Sequence, residues 1–360
     1  MILAGALFLL TSIGHIAPSF SSYLGLAASG ERQSAHSRPG QAYEALYSIK
    51  AGLEGEVYPV FANYDSLQKQ SNRRFGVVTV TISNPTPVLL RRCISVHVAG
   101  WSDSEVRDVQ LEAGARQTLV FAPSFLPRFY QNREIIAATA GVSVSDVSGR
   151  TVYTTTVPLR LRSAEDIFWG KDFEYAPFIA SWVTPHEPLV EGMLSRAKEY
   201  MADHRLPGYE DWKNVTGQER ETYQEAKAIY TALQEAGLSY VKSSLTLGGH
   251  EEYSERVRMP RASLHDSSAN CIDAAVMYAS LFENLGMDPK VIIIPGHAYV
   301  GVRVAEGSSR FLLIDAALTG RAKFEAAVAS AERGMAGHKP SATTQIVISQ
   351  ARAAGIYPMP

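Results

Sequence analysis

Cys271, His297 and Asp315 have the residue types of a nucleophile, a base and an orienting carboxylate. The thiol stands in Ser267-Ser268-Ala269-Asn270-Cys271-Ile272-Asp273. The base stands in Pro295-Gly296-His297-Ala298-Tyr299 and the acid in Leu312-Leu313-Ile314-Asp315. In such a set the base takes or holds the thiol proton, the thiolate attacks a carbonyl carbon, and the acid orients the base. Taken singly, each residue has a plainer role. A helix Cys is more often a small buried residue, a strand His a surface residue and a strand-end Asp a turn residue. Only the set of three points to chemistry.

Three elements must position them. From Cys271 to Leu285 the chain reads CIDAAVMYASLFENL, without Pro or Gly. Ala275, Tyr278, Phe282 and Leu285 keep helical spacing, and Gly286 supplies a stop. Asn270 is a good N-cap, with Asp273 three residues on, as in a capping box with Asp in place of Glu. Cys271 is then the first helical residue, facing the positive end of the helix dipole, a setting found for reactive thiols. Lys290 to Val304 reads KVIIIPGHAYVGVRV, rich in β-branched residues and broken at Pro295-Gly296. Beyond the break, Ala298, Val300, Val302 and Val304 share one face. His297, Tyr299, Gly301 and Arg303 share the other, so His297 points away from the apolar face. Phe311 to Asp315 is a further apolar strand, and the short polar loop between the two predicts a hairpin. A three-residue loop pairing Val304 with Ser308 puts His297 opposite Asp315. A shift of two residues leaves them diagonal neighbours, still within side-chain reach.

Over residues 257–318 the chain resembles the transglutaminase-like superfamily, relatives of papain with the chain order Cys, His, Asp. The matching pieces are ANCIDAAVMYASLFENLGM, VIIIPGHAYVGVRV and FLLIDAAL. Arg258-Met259-Pro260 and the PGHA motif look most like a bacterial branch. Ala269 stands where Gly is commoner, and Tyr299 where many members have Trp. Ala316-Ala317 follows Asp315 in place of Pro or Thr. The resemblance implies an α+β transglutaminase-like core with Cys271 as nucleophile, His297 as base and Asp315 as orienter.

The rest of the chain bounds this reading. With 360 residues there is room for two domains. A 46% hydrophobic and 19% charged composition is that of an ordinary globular protein, and a formal charge of −2 gives no electrostatic case for nucleic acid. Two cysteines, one of them assigned to chemistry, do not make a disulfide framework. Residues 1–28 begin MILAGALFLL and read as an export signal or membrane anchor, with Leu26-Ala27-Ala28-Ser29 as a cleavage region. A periplasmic, secreted or membrane-tethered protein is expected, with a cytoplasmic one as the alternative. Residues 29–44 are polar and read as a linker.

Residues 45–165 read as β. Val78, Val80 and Ile82 alternate with Thr, and Ile94, Val96 and Val98 alternate with Cys93, Ser95 and His97. Gln117–Phe121, Ile135–Val144 and Thr151–Leu161 add further strands, and the short strands with turn signals between them suggest an immunoglobulin-like sandwich. Cys93 reads as structural. Ser163 to Pro188 reads as a connector, Glu187 to His204 as a helix, and Thr216-Gly217-Gln218-Glu219 as a capping box for a helix ending at Gly237. Leu247–Asp266 reads as an irregular loop whose acids, Glu255 among them, could line a substrate cleft. His250 and His265 lack metal-ligand spacing, so no metal or other cofactor is expected. Helix Phe324–Arg333 and strand Gln345–Ser349 follow Asp315.

The expectation is an immunoglobulin-like sandwich over 45–165 and a transglutaminase-like domain over 166–360. The activity expected is a thiol hydrolase acting on peptide or other amide bonds of a peptide or protein substrate. The Cys271 N–H, with Asn270, would hold the oxyanion. The alternatives are amine transfer and a non-catalytic binding or assembly module. The sandwich is a candidate surface for a protein partner.

Overall fold

The structure, a computed structural model, describes residues 45–210, 213–242, 245–247 and 253–360. Residues 1–28 and 29–44, expected as export signal and linker, lie outside the described residues. Glu44–Pro360 forms one compact unit with mixed α and β structure in several sheets.

The N-terminal part contains β1 (Leu46–Ala51), β2 (Glu56–Val57), α1 (Pro59–Leu67), β3 (Val78–Ser83), β4 (Leu90–Val98), β5 (Glu105–Leu111), β6 (Arg116–Phe121), β7 (Ile136–Ser145) and β8 (Thr151–Leu161). They make two sheets, ordered β1-β3-β6 and β2-β8-β7-β4-β5. The period-2 pattern sends Val78, Val80 and Ile82 of one sheet and Ile94, Val96 and Val144 of the other into a shared core, each with no exposed surface. Each such burial contributes about 1.5–3 kcal/mol. A slip of one residue would put Thr79 and Thr81 there instead, so the core also fixes the register. Helix α1 leaves this core. Its Phe61 stacks on Phe75 at 4.0 Å and joins the second core, with Phe168 and Phe178.

The remainder contains β9 (Asp166–Gly170), α2 (Pro188–Ala197), α3 (Val215–Glu235), β10 (Ser239–Tyr240), β11 (Leu245–Leu247), β12 (Tyr253–Arg256), α4 (Pro260–His265), β13 (Ser268–Ala269), α5 (Cys271–Asn284), β14 (Pro289–Ile294), β15 (His297–Arg303), β16 (Phe311–Ile314), α6 (Phe324–Ala336), β17 (Thr344–Val347) and α7 (Ile348–Ala353). The antiparallel sheet β16-β15-β14-β17 is its centre. Helix α5, buried throughout Ile272–Phe282, packs on β14 and β15, with α2 and α4 beside it.

Three expectations are corrected here. Ser163–Pro188 is not a loose connector. It holds β9, which pairs with β12, and a 3-10 turn at Ala176–Trp182 whose Trp182 is fully buried. Leu247–Asp266 is not an irregular loop where it is described, since β12 and α4 occupy much of it. Ion pairs add to the strand pairing in both segments. Arg162 Nε meets Asp166 Oδ2 at 3.1 Å, and Arg256 Nε meets Glu165 Oε2 at 2.6 Å. The cap of α3 is Asn214, whose Oδ1 accepts the Gly217 N–H at 2.7 Å, not Thr216. Among the described residues no helix is long and apolar enough to cross a membrane.

Candidate active site

The start of α5 is built as a capping box. Asn270 Oδ1 accepts the Asp273 N–H at 2.8 Å, and Asp273 Oδ2 accepts the Asn270 N–H at 3.2 Å. Asp273 is fully buried, and its charge is met by Arg258, with Nε to Oδ2 at 3.0 Å and the Arg258 N–H to Oδ1 at 2.8 Å. Arg258 also donates to Ser268 Oγ at 2.9 Å, which ties β13 to the same cluster. Cys271 follows as the first helical residue, partly exposed, with a backbone N–H that has no intrahelical acceptor.

The hairpin sets the other two residues. Val300 pairs with Ile314 and Arg303 with Phe311, and the Val304 N–H donates to the Arg310 carbonyl at 3.1 Å. The register is therefore two residues away from the direct pairing of His297 with Asp315. The intervening loop is longer than three residues, and the pair are diagonal neighbours. His297 Nε2 lies 3.0 Å from Asp315 Oδ1. Asp315 is 6% exposed, and its Oδ2 accepts from Ser330 Oγ of α6 at 2.9 Å. With Nε2 committed to Asp315, Nδ1 is the nitrogen left for the Cys271 thiol, the ring's other hydrogen-bond partner. Burial opposes the imidazolium, but the hydrogen bonds and charges of Asp315 and Cys271 outweigh it and raise His297 to about 9. The structure thus brings the three candidate residues together, with Asn270 engaged in the cap beside them.

The face of β15 expected to be polar is covered by α6. Tyr299 is 5% exposed, clusters with Ile292, Ile294 and Ala331, and meets the His297 ring edge-on at 4.7 Å. Gly334 of α6 makes room for it, since a Cβ there would overlap the Tyr299 hydroxyl and stand 2.8 Å from Cζ. Gly334→Ala would gain about 1 kcal/mol of helix propensity, but displacing a stiff ring costs about 1–3 kcal/mol. The expected result is a lower melting temperature together with slower alkylation of Cys271, because the displaced ring pushes on His297. An unchanged or raised melting temperature would show that Tyr299 moves freely.

Of two flanking residues, Tyr240 escaped the sequence reading, and Glu255 is one of the acids expected to line a cleft. Tyr240, 46% exposed on β10, lies opposite Ala269 in the parallel β10–β13 pair. Its phenol is pushed up by burial and then by the charge of Cys271, with Arg321 opposing. Glu255 of β12 is raised to about 7, mainly by burial, and its Oε2 accepts the Trp169 indole N–H at 3.3 Å. No short-range pattern marks Tyr240. Cys93, the other free cysteine, lies on β4 and is raised by burial and by Asp108. Among the described residues no group of three or more His, Cys, Asp or Glu is placed to hold a metal ion.

No known family profile matches the chain, and no curated protein matches it. Among solved structures, the crystal structure of a FixG-related protein from Vibrio parahaemolyticus aligns with 34% of this chain and 98% of its own, at 14% identity and a TM-score of 0.20. A similarity that low carries no argument about fold or function.

Proposed function

We propose that this chain is a thiol enzyme with a transglutaminase-like core and an immunoglobulin-like sandwich before it, cleaving peptide or other amide bonds. One observation carries the reading. The His297 imidazole bridges a carboxylate fixed by a second helix and a thiol at the first position of a buried helix. In the mechanism the Cys271 thiolate attacks the amide carbonyl and a C–S bond forms. The Cys271 N–H donates to the oxyanion. Asn270 Oδ1 is held by the cap, so Asn270 can assist only through its amide nitrogen. The C–N bond breaks as the His297 imidazolium protonates the leaving amine. Neutral His297 then takes a proton from water, the hydroxide attacks the thioester, and the acid leaves with Cys271 restored as thiolate.

Hydrolysis is favoured over amine transfer because the residue that could wall off the thioester does not do so. Tyr299 packs beneath His297 against α6, and Tyr240 is half-exposed, so water has access to Cys271. The apolar character of residues 1–28 leads us to propose export or membrane tethering as well. A mixed peptide library incubated with and without a labelled primary amine tests the reaction. New N-termini without label are expected. Label incorporation that depends on Cys271 would replace hydrolysis with transfer. Absence of both, with Cys271 alkylatable and the fold stable, would leave a binding module.

A further inference from the structure

We propose that Arg321 and Tyr240 form a subsite beside Cys271 for a carboxylate on the substrate, so that the preferred amide bonds lie next to an acidic group. This rests on Cys271 being the nucleophile.

The placement follows from the backbone. The Val241 N–H donates to the Ala269 carbonyl at 3.0 Å, which sets Tyr240 alongside the residues leading into Cys271. The segment after Asp315 comes back to the same strand. It turns through Ala316–Leu318, where Thr319 Oγ1 is 2.8 Å from Tyr278 Oη and 2.7 Å from the Ala316 carbonyl. Gly320 then passes so close to β10 that a Cβ would collide with the Leu238 carbonyl, with Ser239 Cα 3.4 Å away. The Ala322 carbonyl accepts from Tyr230 Oη at 2.9 Å and from Gln234 Nε2 at 3.1 Å. Arg321 is therefore seated between two anchored residues and against the strand that carries Tyr240. The Tyr240 phenol feels both Cys271 and Arg321.

The chemistry follows from what is already committed. Asp315 is bound to His297 and Ser330, and Asp273 to Arg258 and the cap. Arg321 is exposed, and among the described residues its guanidinium forms no ion pair with a carboxylate. A guanidinium fork beside a phenolic O–H donor matches a carboxylate, and its charge adds to the attraction of the His297 imidazolium.

Iodoacetate and iodoacetamide test the proposal without requiring turnover. With either reagent the Cys271 thiolate displaces iodide and forms the same C–S bond, but only iodoacetate carries a carboxylate. In Arg321→Gln the ratio of the iodoacetate to the iodoacetamide rate at Cys271 is expected to fall about three- to tenfold. Because both reagents react with the same thiolate, the ratio cancels any change in thiolate population, and the melting temperature should stay as in the wild type because Arg321 is exposed. Arg321→Lys should keep most of the ratio, and Tyr240→Phe should lower it. An unchanged ratio in Arg321→Gln, with Cys271 still reactive, would overturn the subsite and leave the thiol-enzyme reading standing. Protection of Cys271 from iodoacetamide then names the source of the carboxylate. N-acetyl-dialanine offers a terminal carboxylate, N-acetyl-alanyl-glutamic acid α-amide a side-chain one, and N-acetyl-dialanine amide none. Stronger protection by either acid supports the subsite, and equal protection by all three counts against it.

Discussion

Asp315→Asn lowers the rate of acyl-enzyme formation by about four orders of magnitude, the scale on which a base fails when its orienting carboxylate becomes an amide. The substitution keeps the shape, and the Ser330 hydroxyl can still donate to the amide oxygen, so folding is expected to lose only about 1–2 kcal/mol. The site loses two things. An amide can turn its N–H toward His297 Nε2, which moves the ring proton to Nδ1 and points a donor at the thiol. It also removes the charge that, with Cys271, holds His297 at about 9 against burial. Burial would then favour neutral imidazole near pH 7, and the acid that protonates the leaving amine would be lost. Single-turnover acylation measured beside a thermal melt separates the effects. Wild-type acylation in a folded variant would mean that another group orients His297.

Arg258→Met is expected to destabilise the protein by about 3–5 kcal/mol, since it strands a buried charge. Asp273 has no exposed side-chain surface, and Arg258 supplies its only salt bridge among the described residues. The Asn270 and Arg258 N–H groups remain to solvate the carboxylate, but neither carries a charge. The damage would not stay local, because the same carboxylate closes the capping box that starts α5 at Cys271. Arg258→Met combined with Asp273→Asn should recover part of the loss, as no unpaired charge remains and the amide oxygen can still accept one of the two backbone N–H groups, from Asn270 or Arg258, that the carboxylate accepts. Urea unfolding of the wild type, both single variants and the double variant gives the coupling. A loss below about 1 kcal/mol in Arg258→Met would show that solvent reaches Asp273.

Helix α5 and its cap could be read from the sequence because the signals are local. Asn270 and Asp273 stand three residues apart, and Ala275, Tyr278 and Phe282 repeat at helical spacing. Strands β3, β4, β6, β7 and β8 were legible for the same reason, through alternations such as Val78, Val80 and Ile82, whereas β1, β2, β5 and helix α1 were not read. The His297–Asp315 register was legible only to within two residues, because it depends on how the loop after Val304 closes. The burial of Tyr299 was hidden, since alternation cannot show that α6 covers the second face of β15. Residues 163–188 read as a connector because of Pro177, Pro185 and Pro188, and Leu247–Asp266 as an irregular loop because of its Gly, His and acidic residues. Their order comes from contacts far apart in the chain, the β9–β12 pairing, the burial of Trp182 and the Arg256–Glu165 ion pair. Tyr240 and Arg321 were invisible for the same reason, since Tyr240 comes alongside Ala269 only through β10–β13 pairing and Arg321 is brought to β10 only by the close approach of Gly320.

The most direct measurement is peptide mapping after limiting iodoacetamide, with Cys93 as the internal reference. Cys271 pairs with an imidazole that keeps its proton up to about pH 9, whereas burial and Asp108 hold the Cys93 thiol up. From pH 6 to 8 Cys271 is expected to label at least about tenfold faster than Cys93. As pH rises through about 9, His297 loses its proton and with it the positive charge beside Cys271, so the advantage should shrink. His297→Gln should reduce it at neutral pH. Equal labelling of the two cysteines in the folded protein at pH 7, or faster labelling of Cys93, would contradict a paired nucleophile at Cys271.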